Sequence, residues 1–412
     1  MIRVAIIGGG ASGMICAITV ARRLRTYNKP YSITIYEKNK RVGKKILSTG
    51  NGRCNFTNTK ADQSKFYSGV SPEAQHIIKS FTPQDAIDFF DSIGVQAVET
   101  DDGRVYPSCM QAAVVLDMLE IELSRLSVVI KNEFDSAAIE KEKNVYVIRF
   151  TNGEVVKAEA VVIATGANAA PKLGSDGMGL KLLRSLGHSI APTYPALVGF
   201  KAVETKELKG VRADNVRVTL YKDNKAISND IGEVQFNDYG ISGIPVMNVS
   251  VYAGVDLSDA VISLDFIPNL SKEQLYEYII KKSKELAHLN IEQFLSGLLN
   301  SRIAQRIAKD MGLSCTDYIG DLSEKVAEEI ANLMKNWRIA INSSAGYNNA
   351  QSTGGGVPVS EFSQNLESIF YQNLFACGEV LEVCGACGGY NLQWAWASGY
   401  VAGMGILNKF TE

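Results

Sequence analysis

The sequence predicts an α/β protein built on a parallel sheet, and three stretches carry that prediction. The first is a short β-branched run, Arg3 to Ile7, followed by Gly8-Gly9-Gly10-Ala11-Ser12-Gly13 and then the helix-periodic MICAITVARRLRTY. The second is Ser32 to Tyr36, a strand pattern that ends in Glu37, 24 residues after Gly13. The third is Ala160-Val-Val-Ile-Ala-Thr-Gly166, a continuous apolar run of the kind that suits a strand buried on both faces.

The glycine run is G-x-G-x-x-G placed after a strand and opening a helix. Gly8 permits the tight turn, Gly10 lets backbone N–H groups approach a pyrophosphate, and Gly13 lets helix and strand pack closely. Ala11 and Ser12 then sit at the helix N-terminus, whose partial positive charge favours phosphate. Glu37 stands where a carboxylate accepts hydrogen bonds from ribose hydroxyls. Lys38 to Asn58 reads KNKRVGKKILSTGNGRCNFTN. Its cations (Lys38, Arg41, Lys44, Lys45, Arg53) and its Asn51-Gly52 and Cys54-Asn55 turns suit an extended dinucleotide that needs many donors. A solvated loop with ordinary Asn-Gly turn chemistry accounts for the same residues more plainly.

Composition narrows the class. The 412 residues are 46% hydrophobic and 21% charged, with a formal net charge of −2, so nothing global suggests a nucleic-acid binder. No apolar run reaches the ~18 residues of a membrane span. Met1 leads directly into a strand pattern with no signal-peptide features, and the seven cysteines are scattered apart from one pair. A cytoplasmic protein is expected.

Four stretches together, GGGASGM, EKNKRVGKKILSTGNGRCNFTN, VVIATGANAAPKLGSDGMG and LFACGEVLEVCGACGGYNLQWAWASG, resemble the flavoproteins described as HI0933-like or NAD(P)/FAD-dependent oxidoreductases. They are similar, more distantly, to fumarate-reductase-type flavoproteins. The resemblance covers essentially the whole chain. It implies FAD in a Rossmann-like domain of the GR2 type, built from residues 1–194 and 341–412. An inserted domain would occupy 195–340, mainly β over 195–268 and helical over 271–337. No second nucleotide fingerprint follows, so NAD(P)H is a candidate electron donor without a dedicated domain of its own.

The resemblance also places residues. Val128 to Phe150 reads as strand, turn, strand, and Glu154 to Ala164 as two more strands, like the β-meander of such domains, with Phe134 beside the adenine. Thr165 and Gly166 form a turn that touches the cofactor. Gly174 to Gly179 is a glycine-rich helix start, a further anion site. Leu374 to Cys377 is a strand followed by Gly378 and Glu379, whose carboxylate would meet the ribityl or pyrophosphate region. Gly388-Gly389-Tyr390-Asn391 opens a helix, Leu392 to Leu407, whose N-terminus would stabilise negative charge on reduced flavin. Thr353-Gly354-Gly355-Gly356-Val357 should lie near the flavin, although a bare glycine loop reads the same way.

Cys384 and Cys387 form a C-x-x-C with three readings. Zinc lacks a second C-x-x-C or a paired histidine. A redox disulfide is geometrically possible, since a helix start lowers thiol pKa, but the NADPH domain that normally serves such a pair is missing. A tight glycine turn with two small side chains needs no further partner. Relatives more often carry Asp at 382 and 384, where this chain has Glu382 and Cys384.

In the inserted region, residues 196–236 alternate like short antiparallel strands. Phe236 to Pro245 resembles the family's F-T-H-x-G-x-S-G-P, with Asn237 and Asp238 in place of Thr and His. Asp238 is a candidate acid or base and, more plainly, a turn former. Ser271, Glu273 and Gln274 read as a helix start. Lys281, Lys282, Lys284, Arg302, Arg306 and Lys309 read as solvated faces, with an RNA-facing surface the sharper alternative.

The expectation is hydride transfer at flavin N5, most simply reduction of an activated C=C bond in a small molecule bound where the domains meet. Amine oxidation of the aminoacetone kind, reduction of an rRNA uridine and non-catalytic flavin binding are the alternatives. RNA is the less favoured partner. Asp238, Tyr239, Tyr390 and Cys387 are the candidate proton donors. No metal is expected.

Overall fold

Ile2–Ile7 forms strand β1, and its residues Val4 to Ile7 are buried, as β-branched residues of a sheet covered on both faces should be. Helix α1, Ala11–Thr26, follows the glycine turn, then strand β2, Tyr31–Glu37, and the short helix α2, Lys44–Ser48. Next come β3 (Val129–Asn132), β4 (Ser136–Glu142), β5 (Val145–Phe150), β6 (Val155–Ala158) and β7 (Ala160–Ile163). The stretch 128–150 therefore holds three strands, where its pattern predicts two. Glu133 makes the extra turn at φ 63°, a left-handed conformation that the sequence does not mark with glycine. Strand β3 pairs parallel with β2, while β4, β5 and β6 form the antiparallel meander. Helix α3, Met178–Ser185, and strand β8, Ala191–Ala196, complete this part. The computed structural model describes residues 2–27, 29–67 and 71–411.

The chain divides into two compact units, Met1–Ala196 with Tyr347–Glu412, and Leu197–Gly346. In the second unit, β9 (Arg212–Lys222) and β10 (Lys225–Phe236) are long strands, not the short ones predicted. Asp223 and Asn224, both at positive φ, make a two-residue hairpin turn that lets them run on. Strand β11 (Val261–Asp265) pairs with β9. Four helices follow: α4 (Lys272–Glu285), α5 (Ile291–Ser296), α6 (Ser301–Asp310) and α7 (Glu324–Lys335). They bury Leu275, Ile279, Ile307 and Met334 in one core with Val218, Leu220 and Ile262 of the sheet. Helix α4 starts with a capping box: Gln274 N donates to Ser271 Oγ at 3.1 Å, and Ser271 N donates to Gln274 Oε1 at 2.9 Å. Trp337 is not helical but opens strand β12, Trp337–Ala340. Arg306 is no solvated cation either. It is mostly buried, pairs with Asp310 at 2.7 Å and Glu207 at 2.8 Å, and lies over the Trp337 ring.

The chain then returns to the first unit. The T-G-G-G run is no loop but a buried strand, β13 (Ser352–Gly356), antiparallel to β8. Strand β14 (Leu374–Ala376) joins the parallel sheet, whose order is β14-β7-β1-β2-β3. Helix α8, Tyr390–Thr411, closes the unit by packing on α1. Gly399 makes that approach possible, because a Cβ there would lie 2.3 Å from Ile15 Cγ2 and 2.4 Å from the Ser12 carbonyl oxygen. Trp394 and Trp396 are buried and donate to the Gly378 and Phe56 carbonyls. No described helix is long and apolar enough to cross a membrane.

Gly13 sets the spacing of α1 from β1, since a Cβ on it would sit 2.1 Å from the Gly8 carbonyl oxygen. Gly13→Ala is expected to destabilise the protein by about 1–3 kcal/mol through overpacking. Thermal unfolding checks this; an unchanged Tm would mean that α1 can move off the sheet freely.

Candidate functional site

The C-terminal ends of β1, β2 and β7 open onto one cavity, the usual place for a ligand of a parallel sheet. Gly8, Gly10, Ala11 and Ser12 line it from the first turn, with Glu37, Asn39, Lys44, Lys45 and Thr49 from the stretch after β2. Thr165, Gly166 and Ser175 follow β7, Gly378 and Glu379 follow β14, and Asn391, Leu392 and Trp394 come from the first turns of α8.

The glycine turn has the shape of a pyrophosphate cradle. Gly8 adopts φ +107°, and a Cβ there would strike the Ala164 carbonyl at 2.4 Å. Gly10 is different: the nearest heavy atom to a Cβ on it is 3.9 Å away, so its outer face is open. Helix α1 has no acidic residue in its first turn and no side-chain cap, which leaves its N–H groups for an anion. These residues fit a dinucleotide. Among the described residues, no three His, Cys, Asp or Glu side chains assemble as a metal site.

Glu37 is engaged within the protein. Its Oε2 accepts from Gly9 N at 2.9 Å, and its Oε1 accepts from Asn39 N at 2.8 Å and Asn39 Nδ2 at 2.6 Å. The buried carboxylate thus braces the glycine turn. Lys38 and Phe134 line a smaller cavity that shares Gly8, Glu37 and Thr165 with the first, and Lys38 pairs with Asp176 at 2.6 Å.

Several expected ligands face elsewhere. Arg41 is half-exposed and pairs with Asp117 and Glu120. Asn51, Gly52 and Arg53 are exposed, because Gly50, Asn51, Gly52 and Cys54 all take positive φ and wind this loop into a tight left-handed turn. Arg53 lies over the Tyr106 ring at 5.2 Å. Cys54 and Asn55 are buried and do not line the cavity. Gly389 packs on the Thr57 carbonyl.

The candidate proton donors also lie off the cavity wall. Tyr390 meets Phe66 edge-on at 6.2 Å, and burial raises its hydroxyl pKa. Cys387 Sγ donates to Gln351 Oε1 at 3.5 Å, and Gln351 is the one that lines the cavity. Asp238 and Tyr239 belong to the Leu197–Gly346 unit. Asp238 is 70% exposed at a turn, 3.8 Å from Lys209, and Tyr239 Oη accepts from Asn237 Nδ2 at 3.2 Å. The surroundings of Cys384 speak against the redox-disulfide reading and agree with a plain turn. Cys384 lies in a two-residue strand paired with Phe66–Tyr67, and burial pushes its pKa up to about 12. Asn391 fixes that loop to α8, accepting from Gly385 N and donating to the Gly385 carbonyl, each at 2.9 Å.

Sequence reasoning did not assign Thr49, Gln351 or Trp394 to the cavity, and it read Lys45 only as one cation of a donor-rich loop and Ser175 only as part of a glycine-rich anion site. Lys45 is the most connected of them. Its Nζ pairs with Glu379 Oε2 at 2.6 Å and donates to the Ala169 carbonyl at 3.4 Å. Glu379 Oε1 accepts from Thr353 N at 2.8 Å, and Thr353 Oγ1 accepts from Ala169 N at 3.0 Å. These four contacts close a ring through four separate chain segments.

The family described as HI0933-like protein Rossmann domain matches residues 2–405. The chain is 36% identical to a 3-dehydro-bile acid delta(4,6)-reductase of Clostridium scindens, over 99% of this chain and 100% of that one. It is 28% identical to a ribosomal RNA dihydrouridine synthase of Haemophilus influenzae, over 98% of each. Among solved structures, the open conformation of a flavocytochrome c3 fumarate reductase covers 100% of this chain and 79% of that chain at 12% identity and a TM-score of 0.48.

Gly10→Val would fill the open face of the cradle. It is expected to weaken dinucleotide binding by at least about 100-fold, roughly 3 kcal/mol, with far-UV circular dichroism unchanged. Full cofactor retention after gel filtration would remove Gly8 to Gly13 from the binding site.

Proposed function

Since the chain belongs to the HI0933-like family, we propose that it is a cytoplasmic FAD-dependent oxidoreductase that reduces an activated C=C bond in a small molecule. The observation that carries this reading is the open cradle at Gly10, set at the uncapped N-terminus of α1 and at the C-terminal edge of a parallel sheet. The choice of a C=C bond is supported by the 36% identity to a bile acid delta(4,6)-reductase.

When bound, FAD supplies a site that takes a hydride from a donor and gives it to an acceptor. With NAD(P)H as donor the reaction balances: the alkene gains one hydride and one solvent-derived proton, and NAD(P)+ leaves. The chain's own residues hold and shield. Gly8 to Ser12 and the N–H groups of α1 would bind the pyrophosphate, with Glu37 bracing the turn. Glu37, Lys38 and Phe134, which line the smaller cavity, would hold the adenosine. Thr49, Glu379 and Lys45, which line the same cavity as the glycine turn, would hold the ribityl chain. Asn391 and Leu392 present the positive end of α8 to the cavity, where it stabilises negative charge. Trp394 and Val383 supply apolar wall that excludes water.

The RNA reading has less support in the side chains. Of the cations on the helices of the second unit, Arg306 and Lys309 pair with Glu207, and Lys281 and Lys282 pair with Glu285. Each glutamate offsets part of the charge of the two cations it serves, which weakens the attraction of these faces for phosphate.

Anaerobic titration of the purified protein with NADH and then NADPH tests the proposal. Bleaching of the flavin band, followed by reoxidation with a conjugated enone, is expected. No bleaching by either nucleotide would move amine oxidation to first place. Cys384→Ser should leave the rate of flavin reduction within about twofold, because a buried, protonated thiol is a poor nucleophile; loss of reduction would restore the redox disulfide.

A further inference from the structure

We propose that Lys45 sets the electron affinity of the cavity, with Glu379 as its counterweight. The inference rests on the FAD reading above and concerns how the protein tunes that cofactor. Both side chains line the cavity, and they lie 2.6 Å apart. Neither is a free-swinging surface charge. Lys45 is tied to the Ala169 carbonyl, and Glu379 accepts from Thr353 N, itself the residue whose hydroxyl accepts from Ala169 N and Asn168 N. The ring therefore holds one positive and one negative charge at fixed points on the wall.

Two-electron reduction with one proton leaves one additional negative charge in the cavity. A cation held on the wall stabilises that charge, and an anion opposes it. The two members of the pair thus act on the cofactor with opposite sign, although they act on the fold with the same sign. Breaking the pair from either end loosens the ring equally. A purely structural pair would move stability in one direction and leave the potential alone.

The test is the midpoint potential of the flavin-loaded protein, measured by dye equilibration, beside Tm. Lys45→Met should lower the potential, making reduction about tenfold less favourable, or about 30 mV for two electrons. Glu379→Gln keeps an oxygen for Thr353 N and should raise it by a similar factor. Lys45→Arg should hold the parent value. Shifts of one sign in both variants, or no shift in either, would overturn the proposal and leave the ring as a brace. Should Lys45→Met fail to keep FAD, Glu379→Gln decides alone: a rise supports the proposal, and an unchanged or lower potential overturns it. A parent protein that takes up no FAD would overturn the cofactor reading itself, and this proposal with it.

Discussion

The contact on which the rest of the structure depends is the approach of α1 to β1 at Gly13 and Gly8. With no side chain at either position, the helix starts directly against the carbonyl it must pass, and its first N–H groups are delivered to the sheet's C-terminal edge. Glu37 then holds the turn through Gly9 N. Helix α8 can lie on α1 only because α1 is already placed, and Gly399 repeats on that second helix the absence of side chain that Gly13 provides on the first. The glycine turn is thus both the floor of the cavity and the reference against which the other walls are set.

Backbone-level features were legible in the sequence, and side-chain direction was not. The strand–glycine–helix order, the apolar run from Ala160 and the capping box at Ser271 each state a local geometry that neighbours do not override. Arg41 and Lys45 show the opposite case. The two cations are four residues apart, yet Lys45, on α2, lines the cavity while Arg41, ahead of that helix, pairs with Asp117. The partner that fixes Lys45, Glu379, is 334 residues away. No spacing rule spans such a distance.

At Cys384 and Glu133 the surroundings add what the local sequence does not carry. A C-x-x-C near a helix start suggests a lowered pKa, but pairing with Phe66–Tyr67 buries Cys384, and desolvation of the thiolate outweighs the helix. Glu133 adopts a conformation usually left to glycine, so the third strand of the 128–150 stretch carries no turn signal. In the second unit, Asp223-Asn224 makes the hairpin turn, and the length of the strands it joins follows from pairing, β9 having β10 and β11 as partners on its two sides.

The order of strands in the parallel sheet has a consequence for synthesis. Strand β14 is the edge partner of β7 and belongs to the last tenth of the chain, and α8 follows it. The inserted unit, with its local hairpin and helices, is therefore made before the sheet has its last strand. Non-local pairing of this kind folds slowly, because the closure entropy precedes the reward. Until α8 docks, the cavity lacks Asn391, Leu392 and Trp394. The cofactor therefore reaches its complete site only after α8 has been made and has docked, so its capture waits on the last of the elements that line the cavity.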